Sequence, residues 1–271
     1  MPALASPFAY SFMDNALAAG SAAALLAGSI GWYVVVRREA FAAHTLSVMA
    51  FPGGALAALA SLPIALGFYI ACLLAGGLIA LFGLRAGVRS GPQQSAVIGT
   101  VQAMALALGF LALSLYGGIL ENLEGLLFGS PLGITGSQVL VLFGLTAAIL
   151  VVLLAAGRPL WFASVDRELA RAAGVPTGAL SALFLVLVAV AVAAAAQITG
   201  ALLVFALLIA PPAAAHLLSP RPAASAAISI VLALLFTWLG LLISYYTNYP
   251  PGFVVPAVAL FVYLLARLAR A

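Results

Sequence analysis

Charge is what this chain most lacks. Only 6% of its 271 residues are Asp, Glu, Lys or Arg, against roughly 25% in soluble domains. Ten basic and six acidic side chains cannot clothe a water-facing surface, so most of the surface meets lipid. Lysine is absent altogether, every basic residue being Arg. A P-loop needs Lys to reach the β and γ phosphates, so nucleotide-driven work must take its motor from another chain. Cys72 is the single cysteine; it forms no internal disulfide and reads as a small buried apolar residue. There are two histidines, His44 and His216, and no HExxH, which removes the zinc-protease reading. All six carboxylates fall at span ends or in connections. A proton-coupled carrier or intramembrane aspartyl protease would bury one at mid-membrane, where only function retains it. The arginines come in small groups between apolar stretches, which excludes a nucleic-acid surface.

What is present is apolar sequence, 66% of the chain. A helical span takes about 20 such residues, so the whole of 1–271 reads as a single all-α, polytopic membrane domain. Runs bounded by charge, Gly or Pro give nine candidate spans near 13–36, 42–61, 63–84, 95–117, 138–157, 179–197, 200–218, 223–246 and 252–268. The first lacks a preceding basic region and is followed by Arg37 and Arg38, so it is expected to be retained rather than cleaved. With nine spans, the groups Arg37/Arg38, Arg85/Arg89, Arg158/Arg167/Arg171, Arg221 and Arg267/Arg270 all reach one side. Random placement would do this about once in sixteen, and the positive-inside rule makes that side cytoplasmic and the N-terminus external. Tyr116, Tyr245, Tyr246 and Tyr249 mark the outer interface, Trp32, Tyr33 and Trp161 the inner one. An eight-span version stays open, with one segment re-entrant, at the cost of that charge pattern. The outer stretch Gly117 to Ser137, with Glu121 and Glu124, reads as an amphipathic connector or as a docking surface for an external partner.

Two sites carry helix breakers at depth: Pro52-Gly53-Gly54 in the second span and Pro211-Pro212 in the seventh. Both are expected to interrupt their helices, since irregular backbone in lipid is tolerated where it packs on protein or lines a watery path. The alternative is a packing kink. Between the fifth and sixth spans, residues 164–176 hold the highest density of charge. Asp166 and Glu168 at its start, Arg171 near its end, then Gly174 and Pro176 predict a short helix over 165–173 that agrees with the helix dipole and its stop signals. Leu169, Ala172 and Ala173 give it a small apolar face, fit to seat in a groove of a cytoplasmic partner or to rest on headgroups.

These residues resemble the permease subunits of ATP-binding-cassette importers for zinc, manganese and ferrous iron, over nearly the whole chain. The segment Asp166-Arg167-Glu168-Leu169-Ala170-Arg171-Ala172-Ala173-Gly174 is similar to the family's coupling helix, which inserts into the ATPase dimer. Gln197-Ile198-Thr199-Gly200-Ala201-Leu202-Leu203-Val204 through Pro211 resembles its Gly-x-Leu-Leu helix. Leu123 to Ser130 resembles its Leu-Phe-Gly-Ser element, Ser244-Tyr245-Tyr246 with Pro250-Pro251-Gly252 its last loop, and the stretch from Pro7-Phe8 to Phe41 its first span. The family carries Asp-x-x-x-His before a Pro-Gly kink and places the passing metal there. In this chain His44 stands at the Asp position and Val48 at the His position, ahead of Pro52-Gly53.

The resemblance implies a transported divalent metal ion with no resident cofactor, ATP being bound by the partner. It implies four associates: an ATP-binding-cassette ATPase on the cytoplasmic side, an extracellular or periplasmic metal-binding protein, a second permease copy or close relative, and the lipid of a bacterial inner membrane. It implies no covalent chemistry by this chain. His44 and Ser47 are the candidate metal ligands, with Met49 or a second copy's His44 able to complete the shell. Pro52, Gly53 and Pro211 are the candidate pathway kinks, and Asp166, Arg167, Glu168, Leu169, Arg171 and Gly174 the candidate coupling residues. His44 also reads as an interfacial histidine near Arg38, and His216 as a helix-terminal one. A transport-deficient scaffold or assembly paralogue, for which the altered 44–48 stretch argues, and a small-solute carrier remain the alternatives.

Overall fold

The computed structural model describes residues 11–85, 92–116, 134–247 and 249–270. Every regular element among them is a helix, as lipid requires of backbone that must satisfy its own hydrogen bonds. In chain order they are α1 (Ser11–Val36), α2 (Ala40–Leu59), α3 (Ile64–Arg85), α4 (Pro92–Tyr116), α5 (Gly136–Val165), α6 (Arg167–Ala172), α7 (Thr177–Leu218), α8 (Pro222–Thr247) and α9 (Pro251–Leu268). Most bounds fall within a few residues of the sequence expectation. The fifth span differs: expected to stop at 157, α5 runs 30 residues to Val165 through Pro159. That is about 45 Å of helix against a hydrocarbon core of about 30 Å, so Arg158 marks where lipid ends rather than where the helix does. The Leu-Phe-Gly-Ser element, Glu121, Glu124 and Arg89 lie outside the described residues.

Among the described residues, eight helices are long and apolar enough to cross a membrane, and Leu203–Leu218 is a shorter apolar ninth. The eight-or-nine ambiguity resolves inside α7. Gly200 has φ 78 and ψ 159, backbone that is not helical and that only Gly enters at little cost. The chain reverses there. A straight helix would hold Phe184 and His216 about 48 Å apart, yet the Phe184 ring lies 6.2 Å from Tyr33 and the His216 ring 5.6 Å from Trp32. The two limbs, α7a (Thr177–Gln197) and α7b (Leu203–Leu218), therefore run antiparallel and both meet α1 at its Trp32-Tyr33 end.

α1 and α7 form the centre. α1 packs on α5, α7 and α8, and α7 also packs on α2, α3 and α9. Lipid tails are as apolar as leucine, so close packing of small residues does the work that water exclusion does elsewhere. Ala19, Ala22, Ala23, Ala24 and Ala27 of α1 are buried. A Cβ on Gly28 would reach Ile230 Cα at 2.8 Å, and one on Gly31 would fall on the Leu208 backbone. Outward faces carry leucines such as Leu115, Leu140 and Leu154, the last 82% exposed, as a lipid-facing surface should.

The proline sites do not break their helices, contrary to expectation. α2 is continuous through Pro52, and α7b runs through Pro211 and Pro212 to Leu218. Neighbours pack against the place where the Pro ring replaces an N–H. A Cβ on Gly109 of α4 would touch Pro52 Cα at 2.8 Å, while Gly53 meets Gly67 of α3 backbone to backbone.

Candidate functional site

The arginine-bearing end is built around α6. Asp166 ends α5, its N–H donating to the Phe162 carbonyl at 3.1 Å, and begins α6, its carboxylate accepting from the Leu169 N–H at 2.9 Å. One residue thus caps two helices, and no slack lies between them. At the far end Val175 N–H donates to Ala170 O at 2.9 Å and Gly174 N–H to Arg171 O at 3.0 Å, with Gly174 at φ 80. This double closure is the left-handed glycine stop expected from the sequence. Ala170 is fully buried, while Asp166, Arg167, Glu168, Leu169, Arg171 and Gly174 are exposed. The result is a rigid, exposed knob.

Its base is tied down. Arg171 Nε donates to Thr177 Oγ1 at 3.0 Å, joining the knob to α7a. Arg37, its side chain only 7% exposed, pairs with Glu39 at 2.9 Å, donates to Ser181 at 2.9 Å and Ser164 at 3.4 Å, and lies over the Phe184 ring. The α1–α2 corner, the end of α5 and the start of α7a are thereby held together. Partial burial, with Arg171 and then Arg37 close by, lowers the Arg167 guanidinium below its ordinary value, and Glu39 opposes this. The knob is dense in charge of both signs, with Arg167 and Arg171 beside Asp166 and Glu168.

α2 carries the other candidate. Thr45, Leu46, Ser47, Met49, Phe51, Pro52 and Gly53 are buried, whereas His44 and Val48, one turn apart, form a half-buried face. Ser47 is fully buried and donates to the Ala43 carbonyl at 3.0 Å. It lies on the packed side of α2, buried where His44 is half-buried. The His44 ring meets Phe205 of α7b edge-on, centroids 4.6 Å apart, and its buried Nδ1 has no hydrogen-bond partner. No group of three or more His, Cys, Asp or Glu stands together among the described residues. Pro211 is buried like Pro52, and the half-buried stripe of α7b is Phe205, Ile209, Ala213 and His216. Of these, Phe205 meets His44. Phe205 escaped the sequence reading, whereas the break expected between the spans near 179–197 and 200–218 falls where the chain reverses at Gly200.

His216 joins an aromatic stack. Trp32 stacks on Trp161 of α5 at 5.1 Å and on His216 of α7b at 5.6 Å. Trp32 Nε1 donates to Ser225 Oγ at 3.1 Å, and Ser225 Oγ lies 3.4 Å from His216 Nδ1. The helix-terminal reading of His216 thus has concrete partners. At the opposite end, Tyr69, Gln138 and Gln197 line a cleft of about 150 Å³ between α3, α5 and α7a.

Known proteins share this architecture. The ABC 3 transport family matches residues 9–270. A "Probable iron transport system membrane protein" of Haemophilus influenzae is 30% identical over 98% of this chain and 92% of its own length. The "Manganese transport system membrane protein MntC" of Halalkalibacterium halodurans is 29% identical over 78% of this chain and 71% of its own. The solved structure "PsaBC from Streptococcus pneumoniae in complex with Fab" superposes with a TM-score of 0.83 at 26% identity, over 95% of this chain and 91% of that one. With a family match across almost its full length and a helical bundle of the same form, this multi-pass membrane chain belongs to the ABC 3 transport family.

Proposed function

We propose that this chain is the membrane-spanning subunit of a bacterial inner-membrane importer for a divalent transition metal ion, driven by a separate ATPase. The observation that carries the reading is α6: an exposed helix, capped at both ends, joined to α5 through the single residue Asp166 and tied to α7a through Arg171. So short a helix gains nothing by lying free in water. Its mixed charge around the exposed Leu169 fits a groove on a cytoplasmic ATPase, and its rigid joints pass force on. Membership of the family, with relatives named for iron and manganese transport, supports the cargo. A binding protein delivers the metal from outside, and a second copy or close relative completes the pathway.

The cargo passes His44. Its unpartnered Nδ1 on a half-buried face is a ligand without a shell in one chain, and the same residue of a second copy would supply another. Replacing carboxylate by imidazole favours Fe²⁺ and Zn²⁺ over Mn²⁺, which prefers oxygen ligands. The test is uptake of these three ions into vesicles holding the permease, its ATPase and its binding protein. His44→Ala should cut uptake at least tenfold while the complex assembles normally. Equal uptake by parent and variant would reassign His44 to packing against Phe205.

A further inference from the structure

We infer that Trp32 and His216 are positioning residues that hand the movement of α6 to α7b through the Trp161–Trp32–His216 stack. The inference rests on the reading of α6 as the ATPase-driven knob.

Force delivered to α6 has two ways out. One leads through Gly174 to Pro176 into α7a. The other leads back through Asp166 into the last turns of α5, where Trp161 sits on the stretch that overhangs the hydrocarbon core. There the Trp161 ring lies against Trp32 at 5.1 Å and 27°, and Trp32 against His216 at 5.6 Å and 21°. Trp32 is 4% exposed, so it is enclosed rather than free to slide. Flat rings in contact resist displacement along the stacking direction because the repulsive wall rises steeply there. A push on α5 therefore arrives at His216.

His216 is the handle of α7b. This limb is attached to α7a through Gly200, whose backbone lies outside the helical region, and its other end is gripped by the stack. The grip is directional as well as steric. Trp32 Nε1 is a donor only, so Ser225 Oγ accepts from it, and the same oxygen lies 3.4 Å from His216 Nδ1. Arg270 adds a bond to the His216 carbonyl at 3.3 Å, so α9 joins the same end. Between hinge and handle lies Phe205, the residue against His44. A tilt of α7b about Gly200 moves Phe205 across the imidazole and opens or shuts access to it.

The groups around this stack bear no other evident duty. Trp32, Trp161, His216 and Ser225 come from four different helices, α1, α5, α7 and α8, and meet at one point at the arginine-bearing end. For packing alone, an aliphatic cluster would serve without a Trp–Ser–His hydrogen-bond chain.

The experiment uses the complete complex of permease, ATPase and binding protein in lipid vesicles. Nitroxide labels go on Leu218 and Leu268, both exposed, to follow the end of α7b against α9. ATP should change the label distance in the parent. Trp32→Ala should abolish that change and lower metal uptake at least tenfold while ATP hydrolysis stays within about twofold, so that hydrolysis is uncoupled. Trp32→Phe, which keeps a flat ring, should restore most of both. If Trp32→Ala assembles poorly, His216→Ala against His216→Phe repeats the contrast from the other side of the stack. An unchanged ATP-dependent distance in Trp32→Ala or His216→Ala overturns the inference. So does a parent whose labels do not move with ATP, or hydrolysis and uptake falling in proportion. A parent that couples ATP to label movement yet carries none of the ions would sink the metal reading and leave the stack standing.

Discussion

Pro52 and Gly200 sit in the same fold and reverse what their residue types advertise. Pro52 lies mid-helix, where it removes one backbone bond, yet α2 continues from Ala40 to Leu59. Gly200 stands alone between apolar runs, yet the chain turns back on itself there. A proline keeps φ near helical values, and the carbonyl it leaves unpaired can be accommodated when α3 and α4 close around the site. A glycine at φ 78 and ψ 159 leaves helical backbone altogether, which no packing can undo. Loss of a donor is a local defect. Change of backbone region redirects a chain.

Three substitutions test this contrast. The largest effect belongs to Gly200→Ala, because a Cβ there is forced into backbone that costs about 1–3 kcal/mol; purified in detergent, the variant should melt several degrees below the parent. A stability equal to the parent's would mean that α7a and α7b do not need the reversal. Gly53→Ala comes next. Its Cβ would press on the Gly67 carbonyl and stand 2.6 Å from Ala71 Cβ, so α2 and α3 must part, at an overpacking cost of about 1–2 kcal/mol; thermal unfolding reads this directly, and a neutral result would show that the crossing gives way freely. Pro52→Ala should change least, within about 1 kcal/mol in the same assay, since the regained backbone bond offsets lost contact with Gly109. A large loss would make Pro52 a structural wedge in its own right.

Much of the fold was legible beforehand because lipid simplifies the grammar. Apolar runs between arginine groups gave nine candidate spans, which among the described residues are eight long helices and the short Leu203–Leu218, and the short helix over 165–173 could be read from its acidic start, Gly174 and Pro176. α5 was read short because Arg158 ended the apolar run, although a helix leaving the membrane needs no apolar sequence to continue. The candidate site was legible in part. His44 is half-buried and the knob residues are exposed. Ser47 is buried while His44 is half-buried, a difference that their spacing of three along α2 does not reveal. Trp32 and Trp161 were read as interfacial belt residues, a role that composition favours for any Trp near a helix end. That they stack on each other and on His216 depends on three helices meeting.

The sequence by itself determined an all-helical membrane bundle, most helix bounds and the short helix between α5 and α7, because hydropathy, charge and capping are properties of neighbouring residues. Tertiary structure alone decided that the stop between α7a and α7b is the single non-helical residue Gly200, that Pro52 packs rather than breaks, and that the His44 ring meets Phe205. Those outcomes depend on which helix faces meet, and close packing between helices distant in sequence is settled by shape, which no single segment encodes.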